Sequence, residues 1–404
     1  MSQPRRIAIL GSTGSVGTQA LEIIAEHPER FAAVSLSAGT NTRLLAAQVK
    51  ATGASLAGIA ADGGTSENPA NPPLADALAQ AGVTHEVEVL TGQEAAVSIA
   101  GDERADMVLN AMTGSIGLRP TLAVVKRGAL LALANKESLI VGGSLLGDAV
   151  RSGRILPVDS EHSALWQALT AGSAAEVAKL ILTASGGPFR GWSAQQLADV
   201  TPAQALAHPT WNMGRVVTTN SATMVNKALE VIEAHLLFEV PLEHIDVVVH
   251  PQSVVHSMVQ YVDGSIMAQA SPPDMRLPIA LALGHPHRVP SAAAACDFSA
   301  AAQWQFEPLD EQAFPAVQLA KQAAGASGTH MAVYNAANEQ AVEAFHTEQL
   351  SFGRIVPTVE AVLAQHSAPT GDVTLEDVLG AEAWARRMAD DLIGTAVAAP
   401  GAAR

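Results

Sequence analysis

The stretch Arg6-Ile7-Ala8-Ile9-Leu10-Gly11-Ser12-Thr13-Gly14-Ser15-Val16-Gly17 decides the fold. Ile7–Leu10 is a short apolar run of the kind a buried strand needs, and Gln19–Ala25 begins a helix. Glycines between strand and helix permit a tight turn, let backbone approach a pyrophosphate and allow close helix–sheet packing. The helix start then turns free N–H groups and the positive end of its dipole toward an anion. The spacing is G-x-x-G-x-x-G rather than G-x-G-x-x-G, and a glycine turn without a ligand has the same letters. The preceding strand, the following helix and the N-terminal position favour a dinucleotide on Gly11, Ser12, Thr13, Gly14, Ser15 and Val16.

Outward from this turn, Ala33–Leu36, Met107–Asn110 and Leu130–Ala134 are further strand candidates, with helical stretches at Arg43–Lys50 and Pro120–Arg127. Such alternation predicts an α/β fold: a Rossmann-like parallel sheet domain over residues 1–150. Residues 151–285 predict an α+β catalytic domain. Its strands are Arg154–Asp159, Lys179–Ala184, Ile245–His250, Ser253–Tyr261 and Ser265–Ala270, with one long helix over Ser221–Phe238 and a turn at Asp263-Gly264. Residues 286–310, with Pro286, Pro290 and Pro308, form a linker, and 311–404 a C-terminal helical bundle that includes Ala332–His346 and a frayed tail after Thr395. Asp62–Pro73, rich in Gly, Pro, Asn and Ser, is a surface insertion loop.

Composition removes several function classes. Hydrophobic residues make up 48% and charged residues 15%, enough apolar content for a sizeable core. The net charge of −16 repels phosphate backbones and anionic lipid, so neither nucleic acid nor membrane is the expected partner. An anionic small molecule needs a local cluster of donors instead. A single cysteine, Cys296, forbids an intrachain disulfide and a thiolate zinc site. No signal-peptide pattern opens the chain, and apolar stretches break before the ~20 residues of a membrane span. The expectation is cytoplasmic.

The second strand ends at Ser37-Ala38-Gly39-Thr40-Asn41, with no Asp or Glu before Arg43. An acid there would bond a free ribose 2′-hydroxyl; hydroxyls and a nearby Arg suit a 2′-phosphate, so the cofactor expected is NADPH. Asn135-Lys136-Glu137 follows another strand end, the edge where open sheets bind ligands, though an ordinary helix start has the same letters.

Pro157-Val158-Asp159-Ser160-Glu161-His162 ends an apolar strand. On an extended chain Asp159 and Glu161 point to one side. On the helix after Asn220, Asn226, Lys227 and Glu230 are three and four apart and share a face. Three carboxylates meeting at one point need a cation, and oxygen ligands suit Mg²⁺ or Mn²⁺. A helix cap at Asp159 and a solvated Lys227–Glu230 pair satisfy the same spacing. Ser185, His208, Ser221, Asn226 and Lys227 would together supply five donors for a phosphate, with Gly186-Gly187 shaping the loop. Trp211 and Met213 cover a ligand as a lid, or are core. His250 and His256 are metal-ligand candidates that fit satisfied structural histidines better.

Taken in order, LGSTGSVG at 10–17, LANKES at 133–138, LPVDSEHSA at 156–164, TASGGPF at 183–189, HPTWNMG at 208–214, TNSATMVNKALEVIEAHLLF at 219–238, VVVHPQSVVHSMVQYVDGS at 247–265, PDMRLPIALAL at 273–283 and NAANEQAVEAF at 335–345 resemble the 1-deoxy-D-xylulose 5-phosphate reductoisomerase family. The resemblance implies a homodimer that uses NADPH and a divalent metal (Mg²⁺, Mn²⁺ or Co²⁺) to rearrange and reduce a sugar phosphate. It puts the metal on Asp159, Glu161 and Glu230, with Lys136 and His208 as further catalytic groups. It puts substrate on Ser160, Glu161, Ser185, His208, Ser221, Asn226, Lys227 and Glu230 under a lid bearing Trp211 and Met213. It adds Gly39, Thr40, Asn41, Asn135, Lys136, Glu137 and Gly214 to the cofactor contacts. Thr40 departs from the basic residue that relatives often carry there.

Overall fold

The computed structural model describes residues 3–64, 70–211 and 213–398. The chain divides into two compact units, each cut from separated segments: 1–138, 148–163 and 274–294 in the first, and 139–147, 164–273 and 295–404 in the second.

In the first unit seven strands form one sheet: β1 (Arg5–Leu10), β2 (Phe31–Ala38), β3 (Leu56–Ile59), β4 (Glu88–Thr91), β5 (Met107–Asn110), β6 (Leu130–Leu133) and β7 (Ile155–Pro157). Their order is β4-β3-β2-β1-β5-β6-β7, and every pairing is parallel. The apolar runs therefore sit where both faces are covered; Ile7, Ala8, Ile9 and Leu10 are fully buried. The order reverses between β1 and β5, the switch point at which an open sheet leaves a crevice. The helices Ser15–Glu26 and Thr42–Thr52 follow β1 and β2 as anticipated.

Gly17 shows why this sequence needs its glycines. A Cβ there would press on the Gly11 carbonyl oxygen and lie 2.6 Å from Ser12 Cα, so the 15–26 helix can pack on the turn only with hydrogen at that position.

The second unit holds a mixed sheet of β8 (Val177–Ala184), β9 (Ile245–Val249), β10 (Val255–Tyr261), β11 (Ile266–Ala270) and β12 (Glu307–Pro308), in the order β11-β10-β8-β9-β12. β8 and β9 run parallel and the other pairs antiparallel. Leu180, Leu182, Ile245 and Val259 of the sheet share a core with Ala228, Leu229 and Ile232 of the helix Val225–Phe238 and with Val333, Tyr334 and Ala337 of the helix His330–His346. The helices Ile355–Leu363 and Leu375–Ala398 complete the helical C-terminal region. The fold class read from the sequence is the one observed: a parallel α/β sheet, a second α+β sheet and C-terminal helices.

Two local expectations are corrected. The long helix expected over Ser221–Phe238 is two helices, Arg215–Ala222 and Val225–Phe238, because Met224 takes a left-handed conformation with φ 62°. Thr218, Thr219 and Thr223 each return their hydroxyl to the carbonyl four residues back (2.9, 3.0 and 3.1 Å), a habit that weakens a helix locally. The strand expected over Arg154–Asp159 ends at Pro157, and a helix begins at Ser160. Asp159 and Glu161 therefore flank a helix start rather than sharing a face of extended chain. Part of the insertion loop (65–69), Asn212 of the proposed lid and the tail after 398 lie outside the described residues.

Gly17→Ala lowers stability by about 1–3 kcal/mol, the usual cost of overpacking. Gly39→Ala, at a position where an added Cβ meets nothing within 4 Å, is the matched control and should melt as the parent does. Equal melting midpoints for both variants would show that the turn relaxes and the close approach is not required.

Candidate functional site

At the switch point, Gly11 has φ +78°, and a Cβ on it would come within 2.6 Å of Ala111 O. The turn thus needs glycine both for its conformation and for the approach of the segment after β5. Gly14 precedes the first turn of the 15–26 helix, whose opening N–H groups have no acceptor within the helix. Ser12 turns inward: it is buried, its Oγ bonds Gln48 Oε1 at 2.8 Å, and its N–H bonds Ser37 O at 2.8 Å. Thr13, Ser15 and Val16 remain as the residues that bring donors to the turn's mouth.

At the end of β2, Gly39 is exposed, and Asn41 Oδ1 accepts from Leu44 N at 3.1 Å, capping the 42–52 helix. The insertion loop closes on this corner. Arg43 Nη2 donates to Ala70 O at 3.1 Å and Asn71 Nδ2 to Thr40 O at 2.9 Å. Asn135 is buried, with Nδ2 on Met112 O (2.8 Å) and Gly114 O (2.9 Å) and Oδ1 accepting from Ser138 N (3.0 Å). Its amide thus ties the segment after β5 to that after β6, with Glu137 Oε2 at 3.2 Å.

Beyond the next strands, β6 and β7 pair with Leu133 beside Pro157, so the residues after them reach one edge of the sheet. There Lys136 Nζ meets Asp159 Oδ2 at 2.6 Å, with both side chains about nine-tenths buried. Asp159 Oδ1 accepts from Glu161 N at 3.1 Å and pairs with His162 Nδ1 at 3.0 Å. Burial alone would raise the Asp159 carboxyl, but Lys136 and then His162 outweigh it and hold the group well below the usual carboxylate range. Ser160 donates to the Glu161 carboxylate. His162, fully buried, was given no role from sequence; its i, i+3 spacing from Asp159 on a helix start was the available signal.

The second unit carries two further clusters. Lys227, 5% exposed, pairs with Glu230, 2% exposed, and Asn226 Nδ2 donates to Glu230 Oε1. The shared helical face read from the spacing is thus real, but it is buried rather than solvated.

The other cluster centres on His208. Its Nδ1 accepts two backbone N–H groups, from Thr210 at 3.1 Å and Trp211 at 2.9 Å. A nitrogen accepting twice carries no proton, so the neutral ring holds its hydrogen on Nε2. Nε2 lies 3.2 Å from Ser185 Oγ and 3.1 Å from Ser221 Oγ. Burial also lowers the His208 pKa, so the ring is neutral at pH 7. Gly186 and Gly187 both have positive φ, and a Cβ on Gly187 would sit 2.9 Å from Ser221 O. These glycines let the 185–187 turn lie against the end of the 215–222 helix.

Trp211 is half-buried with its ring 6.4 Å from that of His256, Met213 O accepts from Thr218 Oγ1 at 3.2 Å, and Gly214 starts the 215–222 helix. His250 is consumed structurally, with Nε2 accepting from Val254 N and Val255 N, each at 3.1 Å.

The residues present fit the groups the sequence implied. The donor set toward a metal is oxygen-only and already ionised at Asp159, as a hard dication requires. The turn of the first unit tolerates no side chain at Gly11 or Gly17, where a Cβ would meet the backbone at Ala111 and Ser12, so backbone alone forms the turn before the helix start, as a pyrophosphate site requires.

Sequence profiles agree along the chain. Residues 7–143 match 1-deoxy-D-xylulose 5-phosphate reductoisomerase, 155–238 its C-terminal domain, and 270–388 the DXP reductoisomerase C-terminal domain. The reductoisomerase of Pseudarthrobacter chlorophenolicus is 62% identical over 390 residues, covering 96% of this chain and 98% of its own. That of Mycobacterium avium is 54% identical, covering 98% and 95%. Among solved structures, the Zymomonas mobilis enzyme in complex with NADPH has a TM-score of 0.87 at 42% identity, covering 97% and 99%. A DOX-P reductoisomerase in complex with NADPH, fosmidomycin and magnesium has 0.88 at 36%, covering 96% and 98%. With matches of this extent over both units, the chain belongs to the 1-deoxy-D-xylulose 5-phosphate reductoisomerase family.

Proposed function

We propose that the three clusters divide the work of one reaction, the rearrangement and reduction of 1-deoxy-D-xylulose 5-phosphate. The chain is an NADPH- and divalent-metal-dependent oxidoreductase that forms 2-C-methyl-D-erythritol 4-phosphate in non-mevalonate isoprenoid precursor synthesis. When bound, NADPH supplies hydride and the dication a Lewis acid for the substrate's carbonyl and hydroxyl oxygens.

Asp159, Glu161 and Glu230 hold the metal, and Asp159 supports this most directly: it is kept charged before any metal arrives, at the sheet edge beside Lys136. Ser160 orients Glu161. Ser185, His208 and Ser221, with Asn226 and Lys227, take the phosphate; the Nε2–H of a neutral His208 between two hydroxyls supports a donor role. Trp211 and Met213 exclude water as a lid. The first unit's glycine turn, with Gly39, Thr40, Asn41, Asn135, Glu137 and Gly214, carries NADPH.

Along the sequence, 1–150 serves the cofactor, 151–285 metal and substrate, 286–310 links, and 311–404 supports. Two copies pair through β11, the outer strand of its sheet, where Ile266 and Met267 are 50% and 42% exposed. An apolar edge of this kind invites a partner strand. Among the described residues no helix is long and apolar enough to cross a membrane. A cytoplasmic location and use of Mn²⁺ as well as Mg²⁺ complete the proposal.

The direct test is NADPH oxidation with 1-deoxy-D-xylulose 5-phosphate, with and without EDTA, and analysis of the product's carbon skeleton. A branched product formed only with metal is expected. An unbranched reduced product would mean reduction without rearrangement.

Cofactor choice gives a second test. Arg43 stands at the β2 corner with no acid before it, so Arg43→Ala should raise KM for NADPH about five- to tenfold, a typical loss for one charged contact, and leave KM for NADH nearly unchanged. Equal effects on both cofactors would remove Arg43 from the 2′-phosphate.

A further inference from the structure

The hydroxyl of Ser221 points at His208 only because the helix carrying it, Arg215–Ala222, is held at one rotation. Eight residues make a helix too short to be stable alone, and its placement comes from packing. Much of that packing is polar and comes from His330–His346, a helix more than a hundred positions away in sequence. Asn338 Nδ2 donates to Asn220 Oδ1 at 2.9 Å, with both residues buried. Thr219 Oγ1 lies 2.7 Å from His346 Nε2, and Arg215 pairs with Glu343 at 2.5 Å nearer the surface.

We infer that Asn338 is a positioning residue for the substrate phosphate, fixing the rotation of the 215–222 helix and with it the direction of the Ser221 hydroxyl; this rests on the phosphate assignment proposed above. Successive helical residues are turned about 100° from one another, so Asn220 can face the 330–346 helix while Ser221, the next residue, faces His208. An amide–amide hydrogen bond is directional, whereas apolar packing tolerates sliding. It therefore sets the helix's rotation as well as its distance. The tolerance is small, because the 185–187 turn already lies against Ser221 O, at the place where Gly187 has no side chain.

The bond is also costly. Among the described residues Asn338 Oδ1 has no hydrogen-bond partner although it is buried. Leucine at 338 removes that unpaired oxygen but leaves the buried Asn220 Oδ1 without its donor, so it exchanges one unpaired oxygen for another and stability alone does not decide the residue.

Asn338→Leu in the full-length enzyme separates positioning from stability. Melting should stay close to the parent value, because one unpaired buried oxygen replaces another. KM for 1-deoxy-D-xylulose 5-phosphate should rise about five- to tenfold, the span of one lost hydrogen bond, while KM for NADPH stays within about twofold. Because Asn338 acts through Ser221, the double variant Ser221→Ala/Asn338→Leu should be no worse than Ser221→Ala alone. Parent-like substrate KM in Asn338→Leu, with Ser221→Ala impaired, overturns the inference alone, as does an additive double variant. Parent-like KM in Ser221→Ala overturns the phosphate assignment and this inference together. If Asn338→Leu does not fold, Thr219→Val removes the neighbouring bond to His346. A raised substrate KM there supports the clamp, and a parent-like KM overturns it.

Discussion

A carboxylate removed from water stays charged only if a cation or several donors stand beside it. The Lys136–Asp159 pair meets that requirement, and the sheet edge is organised around it. β6 delivers the ammonium and β7 the carboxylate, from adjacent parallel strands in fixed register. The helix that begins at Ser160 adds His162 and the Glu161 N–H to the other oxygen. Buried ion pairs of this kind contribute little net stability, since desolvation offsets most of the attraction. The proposed metal site would account for their presence: a hard dication needs ionised oxygens, and a metal-free chain needs something to neutralise them. Lys227 and Glu230 repeat the arrangement in the second unit.

The same economy applies to anions. A chain with net charge −16 cannot attract a sugar phosphate through its overall field. His208 shows the alternative. Two backbone N–H groups fix its tautomer, burial keeps it neutral, and its one hydrogen sits between two serine hydroxyls. In the proposed phosphate site these neutral donors, joined by the cation of Lys227, would recognise an oxyanion by local geometry and not by the chain's long-range field. The turn proposed for the cofactor follows the same pattern, with backbone N–H groups at a helix start and glycines where side chains would strike the backbone.

Much of this was legible in the letters. The buried strands of a parallel sheet are continuous apolar runs, so β1, β5 and β6 could be placed within two residues, and the glycine turn marked what lay between β1 and its helix. The i, i+3 and i+4 spacings of Asn226, Lys227 and Glu230 correctly gave one face. Letters failed where a residue behaves against type. Met224 is left-handed without being glycine, so one long apolar pattern hid two helices. A cap at Asp159 fitted the spacing as well as a strand running through it, and the letters Val158-Asp159-Ser160-Glu161 do not choose between the two; the fold does, with the strand ending at Pro157 and a helix starting at Ser160. Asn220 and Asn338, far apart in the chain, carry no local pattern, and their contact became visible only in the fold.

Asp159 and Glu230, each paired with a lysine, are the proposed metal ligands. The most direct measurement is Mn²⁺ binding to full-length protein by calorimetry, for the parent and for Glu230→Gln and Asp159→Asn, with NADPH binding measured beside it. Each substitution keeps shape while removing a charge. Metal affinity should fall at least about tenfold, as losses at a metal site do, and NADPH affinity should change little because a separate set of residues carries it. Parent-like Mn²⁺ affinity in both variants, with full activity at low metal, would contradict the ligand assignment and the role given to the buried carboxylates.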